Sequence, residues 1–265
     1  TVAAILYVPR ICMAVPSVFV RSTAQKMKPF CKEGQLIVDV AKGIEESTLL
    51  TLSAQIEEEI PQADVAVLSG PSHAEEVSVG IPTAIVIASK DEEVRNLVQE
   101  TFMNEKMRVY TSDDVIGVEL GGALKNIIAF CAGIATEIDL GDNSFAALIT
   151  RGLAEITRLG MAMGGKHDTF YGLSGLGDLI VTCMSEHSRN RRAGRLIGKG
   201  YTVEQARKEI GMVIESIDNI EVAYALSKKY NIEMPIVNAV YDVLYNGLEP
   251  RKAVTMLMTR AKKSE

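Results

Sequence analysis

The sequence predicts an α/β domain built on a parallel sheet, followed by an all-helical domain, with the boundary near Ser112–Asp113. Three observations carry this. Over roughly the first 110 residues, short Val- and Ile-rich runs alternate with helical patterns, as in a parallel sheet with crossover helices. Beyond residue 112 no further run reads as a strand, and long helical patterns take over. The 265 residues are 47% hydrophobic and 23% charged, an ordinary globular composition with length enough for two domains. The predicted domains are 1–112 and 113–265.

The strands come first. They are "RICMAV" (10–15), "QLIVDVA" (35–41), "DVAVLSG" (64–70), "TAIVIAS" (83–89) and "MRVYTS" (107–112). Each is short and apolar, as strands buried on both faces are. Between them, "STLLTLSAQIEEEI" carries apolar residues at helical spacing with Ser47 as its expected cap. "DEEVRNLVQETFM" starts at Asp91 with acidic residues in its first turn, where the helix dipole favours them. Helical patterns then follow at 113–138, 143–164, 203–210, 215–229, 234–246 and 250–262, punctuated by Gly and Pro.

Charge and composition exclude several classes. A net charge of −6 gives no electrostatic footprint for nucleic acid or an anionic membrane. Cys12, Cys31, Cys131 and Cys183 show no metal-ligand spacing, and the three histidines are dispersed, so no metal site is expected. Scattered thiols fit a reduced, cytoplasmic protein. No apolar run is read as approaching the roughly 20 residues that cross a bilayer, and no basic n-region precedes the first apolar residues.

A dinucleotide-binding α/β domain normally opens with a strand, G-x-G-x-x-G and a helix. No such motif occurs here; the G-x-G pairs are "GLG" (175–177) and "GKG" (198–200). The first residues, "TVAAILYVPR", read as the end of a helix running abruptly into a strand. The expectation is a chain without its true N-terminus and without an internal piece near Tyr7–Arg10.

Four stretches carry candidate chemistry. In "VELGGALKNIIAFCAGIA" (118–135), Lys125 sits mid-helix with no carboxylate three or four residues away. It leans over Gly121 and Gly122, which leave a shallow space below the ammonium. Apolar surroundings lower a lysine's pKa, as proton transfer requires. On this helix alone, a lysine snorkelling to water is the slightly favoured alternative. In "GLSGLGDLIVTCMSEHSRNRRAGR" (172–195), Asp178 and Thr182 stand four apart, and Ser188, Arg189 and Asn190 bring together a hydroxyl, a guanidinium and an amide. That set suits a phosphate; a solvated basic helix start is the alternative. In "VLSGPSHAEEV" (67–77), Gly70 and Ser72 follow a strand, where ligands bind in doubly wound sheets. Ser72 with Glu75 also reads as a capping box. In "VDVAKGIE", Lys42 and Gly43 lie just past another strand at the same sheet end.

Together these stretches resemble one family closely, bacterial NAD(P)-dependent glycerol-3-phosphate dehydrogenase. The resemblance rests on "AVPS" (14–17), "AKGIE" (41–45), "LSGPSHAEEV", "VYTSDDVIGVELGGALKNIIA" (109–129), "DNSFAALITRGLAEITRLG" (142–160), "GLSGLGDLIVTC" and "SRNRR" (188–192), in that order. It implies a Rossmann-like domain plus a helical substrate domain. It also implies reversible hydride transfer between NAD(P)H and dihydroxyacetone phosphate, giving sn-glycerol 3-phosphate for phospholipid synthesis. The implied cofactor is NAD or NADP, the implied assembly a homodimer. Lys125 matches the general acid/base. Lys42 matches a second lysine touching substrate and cofactor. Gly70, Ser72, Asp178, Thr182, Ser188, Arg189 and Asn190 match substrate positions. Ala74, Arg189, Val213 and Glu215 match cofactor contacts. The glycine loop and the residue that would select NAD or NADP have no counterpart here. His73 and Met184 stand where relatives commonly carry other residues, with no functional change attached to either. Two other readings stay open: another two-domain dehydrogenase of the 6-phosphogluconate or 3-hydroxyacid type, and a non-catalytic decayed relative.

Overall fold

The computed structural model describes residues 8–262 and Ser264. The helix end read at the start of the chain falls on residues 1–7 and lies outside the described residues. Five strands, β1 (Arg10–Met13), β2 (Gln35–Asp39), β3 (Ala63–Ser69), β4 (Thr83–Ala88) and β5 (Met107–Ser112), form one sheet in the order 1-2-3-4-5. Each matches a predicted run to within two residues. β1, β2 and β3 are parallel, as are β4 and β5, with helices α1 (Val20–Met27), α2 (Leu52–Glu59) and α4 (Glu92–Phe102) as crossovers.

One joint departs from a fully parallel sheet. β3 and β4 are antiparallel, with Ser69 opposite Val86 and Val67 opposite Ala88. The link between them holds only α3 (Ala74–Val77). A single helical turn cannot carry the chain back across the sheet, so it reverses at the carboxyl end of β3.

Period-two alternation fills both faces of the sheet. Ile37 packs with α1 and α2 through Val20, Ala24, Leu52 and Ile56. Leu36 and Val38 pack on the other face with Ile85, Ile87, Val98 and Val109. α1 was absent from the sequence expectation, although Val20, Ala24 and Met27 are its buried stripe. Asp91 caps α4 as expected, accepting the Glu93 and Val94 N–H groups. Ser47 does not cap α2. The segment before it forms a turn with Leu49 at φ 62°, and α2 starts at Leu52. Its first-turn donors are served from a distance. Glu119 accepts the Ser53 N–H at 2.8 Å and the Ser53 hydroxyl at 2.7 Å.

After β5 the chain is helical: α5 (Val115–Glu137), α6 (Gly141–Ala162), α7 (His167–Phe170), α8 (Asp178–Met184), α9 (Arg189–Gly198), α10 (Val203–Ile210), α11 (Glu215–Lys229), α12 (Pro235–Tyr245) and α13 (Pro250–Met258). A single π-helical turn, Leu173–Gly177, precedes α8. α5 is the axis, packed by α6, α8, α9 and α11. It corrects the expectation about apolar runs: an 18-residue window within Val115–Glu137 reaches a mean hydropathy of 1.6, enough by length and composition to cross a bilayer. That window is 89% buried inside the protein, so α5 is a core helix. Two glycines set its closest crossing. A methyl on Gly133 would overlap the Arg191 carbonyl of α9, and one on Gly194 would overlap the Phe130 carbonyl of α5.

Candidate active site

The carboxyl ends of β2 and β3 meet the first half of α5 and the start of α8. Lys42 follows β2 by three residues. Gly70 follows β3 directly with φ 137°, a conformation open to glycine but not to side-chain-bearing residues. Its carbonyl accepts the Lys42 ammonium at 3.0 Å and the Ser72 hydroxyl at 3.1 Å. Ser72 therefore does not build a capping box; the residue before α3 is His73.

Two lysines converge on one carboxylate. The Lys42 Nζ lies 2.6 Å from Asp178 Oδ2. Lys125 Nζ donates to Asp178 Oδ1, and to Thr182 Oγ1 at 2.7 Å. Thr182 in turn donates its hydroxyl to the Asp178 carbonyl at 2.6 Å, which fixes its lone pairs toward Lys125. Lys125, Asp178 and Thr182 are all buried. This corrects the snorkelling alternative: Lys125 points inward, and its partner comes from more than fifty residues away.

The glycines around Lys125 are packing devices. A methyl on Gly121 would stand 2.9 Å from the Ser174 carbonyl oxygen and 3.2 Å from Gly175 Cα. One on Gly122 would stand 2.8 Å from Ser69 Oγ. The shallow space expected beneath the ammonium is therefore filled, by the π turn on one side and by Ser69 and the Lys42 chain on the other. This close approach lets the π turn deliver Asp178 to α5. Such turns cluster at functional sites.

Burial and charge set the proton affinities. Burial pulls the Lys125 ammonium down to about 7; Asp178 opposes the shift and Lys42 adds to it. Burial pushes the Asp178 carboxyl up, but the charges of Lys125 and Lys42 outweigh it and hold the group below its usual value. An ionised aspartate thus faces an ammonium poised to gain or lose a proton near neutrality.

A second group lies beside the first. Ser17, from "AVPS", donates its N–H to Glu215 Oε1 at 3.4 Å and its hydroxyl to Glu215 Oε2. Gly43 makes room for this: a methyl there would stand 2.5 Å from Ser17 Cβ. Burial pushes the Glu215 carboxyl up. A third group joins α9 to the start of α11. Arg189 is exposed and donates to the Val213 carbonyl at 3.4 Å, while Asn190 Oδ1 accepts the Ser216 N–H at 2.9 Å. Ser188 caps α9 by accepting the Arg191 N–H at 3.2 Å. Lys42, Gly70, Ser72, Lys125, Asp178 and Thr182 therefore form one hydrogen-bonded set. Arg189, Asn190 and Val213 form a second set joining α9 to α11, with Glu215 paired to Ser17, and the Ser188 hydroxyl also caps α9. Ala74 is exposed at the start of α3. Sequence reasoning missed Ser69 and Ser17 as parts of the site; their signal is only adjacency to Gly70 and a place in "AVPS".

The Ser69 hydroxyl, at the end of β3, is buried without a hydrogen-bond partner among the described residues, so a group with donor and acceptor edges would satisfy it. A cavity of about 710 Å³ lies elsewhere, between α5, α6, α12 and α13, and shares no residue with either set. The site is assigned from its convergent charges, not from that apolar cavity.

Comparisons with known proteins show the family. The model described as NAD-dependent glycerol-3-phosphate dehydrogenase N-terminus matches residues 2–95, and that of the C-terminus matches 114–255. A glycerol-3-phosphate dehydrogenase [NAD(P)+] of Agathobacter rectalis is 57% identical over 253 residues, covering 96% of this chain and 75% of the relative. One of Carboxydothermus hydrogenoformans is 56% identical over 254 residues, covering 95% and 76%. The crystal structure of glycerol-3-phosphate dehydrogenase from Coxiella burnetii superposes with a TM-score of 0.93 at 40% identity, covering 98% of this chain and 79% of that one.

Proposed function

The chain belongs to the NAD-dependent glycerol-3-phosphate dehydrogenase family, and on that premise we infer that it interconverts dihydroxyacetone phosphate and sn-glycerol 3-phosphate with NAD or NADP. The reaction supplies glycerol phosphate for phospholipid synthesis. The observation that carries the reading is the convergence of Lys42 and Lys125, from the two halves of the chain, on the buried carboxylate of Asp178.

Reduction of a ketone leaves negative charge on its oxygen, so an acid beside that oxygen lowers the barrier. Lys125 is assigned this proton, with an affinity tuned by burial to about 7. In the reverse direction its neutral amine takes the proton back. Thr182 and Asp178 hold the Lys125 nitrogen in place, and Asp178 stabilises its charged form. Lys42, Gly70, Ser72, Ser188, Arg189 and Asn190 are assigned to the substrate, with Arg189 as the guanidinium that suits a phosphate. Lys42, Ala74, Arg189, Val213 and Glu215 are assigned to the nicotinamide dinucleotide, which supplies the hydride when bound. Residues 1–112 form the proposed dinucleotide domain and 113–265 the proposed substrate domain. The family resemblance supports a homodimer, and four free thiols support a cytoplasmic enzyme.

The test is oxidation of NADH and of NADPH by the complete gene product, with dihydroxyacetone phosphate as acceptor. Turnover with this ketone is expected. Turnover only with 3-oxoacids, or reduction of NADP+ with 6-phosphogluconate only, would contradict the reading.

A further inference from the structure

His73 has no part in the chemistry above. It stands between Ser72 and α3, and its half-buried imidazole reaches α8, where the Val181 carbonyl faces the ring. Lys125 of α5 and Asp178 of α8 are close enough for their charges to act on it, as is Glu75 of α3. Its Nε2 is buried without a hydrogen-bond partner among the described residues. A buried polar atom left unsatisfied carries its full desolvation cost. An apolar ring would fill the same space without that cost, so the nitrogen calls for a partner.

The chemistry of the ring narrows what that partner is. Burial, then the Lys125 charge, push the imidazole's proton affinity down. A neutral imidazole offers one donor, one acceptor and no charge. It is a poor anchor for a phosphate, which ammonium and guanidinium groups hold better. It is well matched to a hydroxyl.

We propose that His73 is a substrate-binding residue, whose buried Nε2 hydrogen-bonds the free hydroxyl of the three-carbon phosphorylated ketone beside Lys125. The proposal rests on the functional reading above and deepens it: it names a group that tells a hydroxyketone phosphate from its deoxy counterpart. A site built to hydrogen-bond a substrate hydroxyl rejects the analogue lacking it, because its own polar atom is then unpaired.

The test compares the wild-type complete gene product with His73→Phe and His73→Gln. Two acceptors are used: dihydroxyacetone phosphate, and hydroxyacetone phosphate, which keeps the ketone and phosphate but lacks the hydroxyl. His73→Phe is expected to lower kcat/KM for dihydroxyacetone phosphate about 10- to 100-fold, with the KM for the coenzyme and the rate with the deoxy ketone within twofold of wild type. His73→Gln, which keeps a polar end, is expected to recover most of the loss. Melting temperatures of the three proteins report on folding. Unchanged kcat/KM in His73→Phe, or equal losses on both ketones, would overturn the proposal while leaving the function intact. A wild-type enzyme inert toward dihydroxyacetone phosphate would instead overturn the functional reading and this inference with it.

Discussion

Asp178 holds two ammonium groups at once, one fully buried and one a fifth exposed. With Lys125 protonated, that leaves one net positive charge on the three groups and an anion-friendly field facing the cleft. Arg189, exposed on α9 and bonded only weakly to the Val213 carbonyl at 3.4 Å, is the cation most free to take a phosphate. Arg189→Ala should raise the KM for dihydroxyacetone phosphate at least tenfold while changing the KM for the coenzyme much less; steady-state kinetics with each varied in turn checks this. Equal effects would remove its phosphate role. The residues of the site were legible as types, because glycine loops, a lone lysine and "SRNRR" are unusual in their runs. The inward direction of Lys125 was not. Its helical neighbours at three and four residues include no carboxylate, and Asp178 arrives through tertiary packing that no local spacing encodes.

At the level of elements, helix position depends on glycine contacts. α9 lies on α5 at Gly194, where a methyl would overlap the Phe130 backbone carbonyl, so no side-chain rearrangement can relieve the clash. Gly194→Ala should destabilise the protein by about 1–3 kcal/mol, the usual range for overpacking, and should also weaken substrate binding by displacing Arg189 at the start of α9. Denaturant unfolding and the KM for the ketone measure the two effects. All five strands were legible, since each is a short apolar run bounded by polar turns. Asp91 was also readable as a cap, because its partners lie two and three residues on. The cap of α2 was not: it is supplied by Glu119, sixty-six residues from Ser53. The antiparallel joint between β3 and β4 was equally hidden, because the pattern of a strand does not carry its direction.

At the level of the whole molecule, the Lys42–Asp178–Lys125 set ties the sheet to the helical bundle. Asp178→Asn removes the shared countercharge, and breaking a buried pair from one side costs about 3–5 kcal/mol. The sign with pH follows from Lys125. Without Asp178 its folded proton affinity falls further below the unfolded value, so the variant's stability should rise as pH increases from below 7 toward the ordinary lysine value near 10.4. The wild type, with Lys125 already near 7, follows the same rise above pH 7, so urea unfolding of both should show a deficit that widens below pH 7 and stays constant above it. A deficit that does not widen below pH 7 would contradict the charge account. The change from alternating strands to helices near residue 112 was legible from periodicity alone, whereas the burial of α5 was not, since an apolar helix reads alike whether it crosses a bilayer or a protein core. The most direct test of the account is the pH dependence of dihydroxyacetone phosphate reduction by the complete gene product and its Lys125→Ala variant. The wild type should lose kcat/KM as pH rises through about 7, and the variant should lose about 10²- to 10⁴-fold in kcat together with the pH dependence of kcat/KM. A variant with near-wild-type kcat and the same pH profile would contradict the assignment of the proton to Lys125.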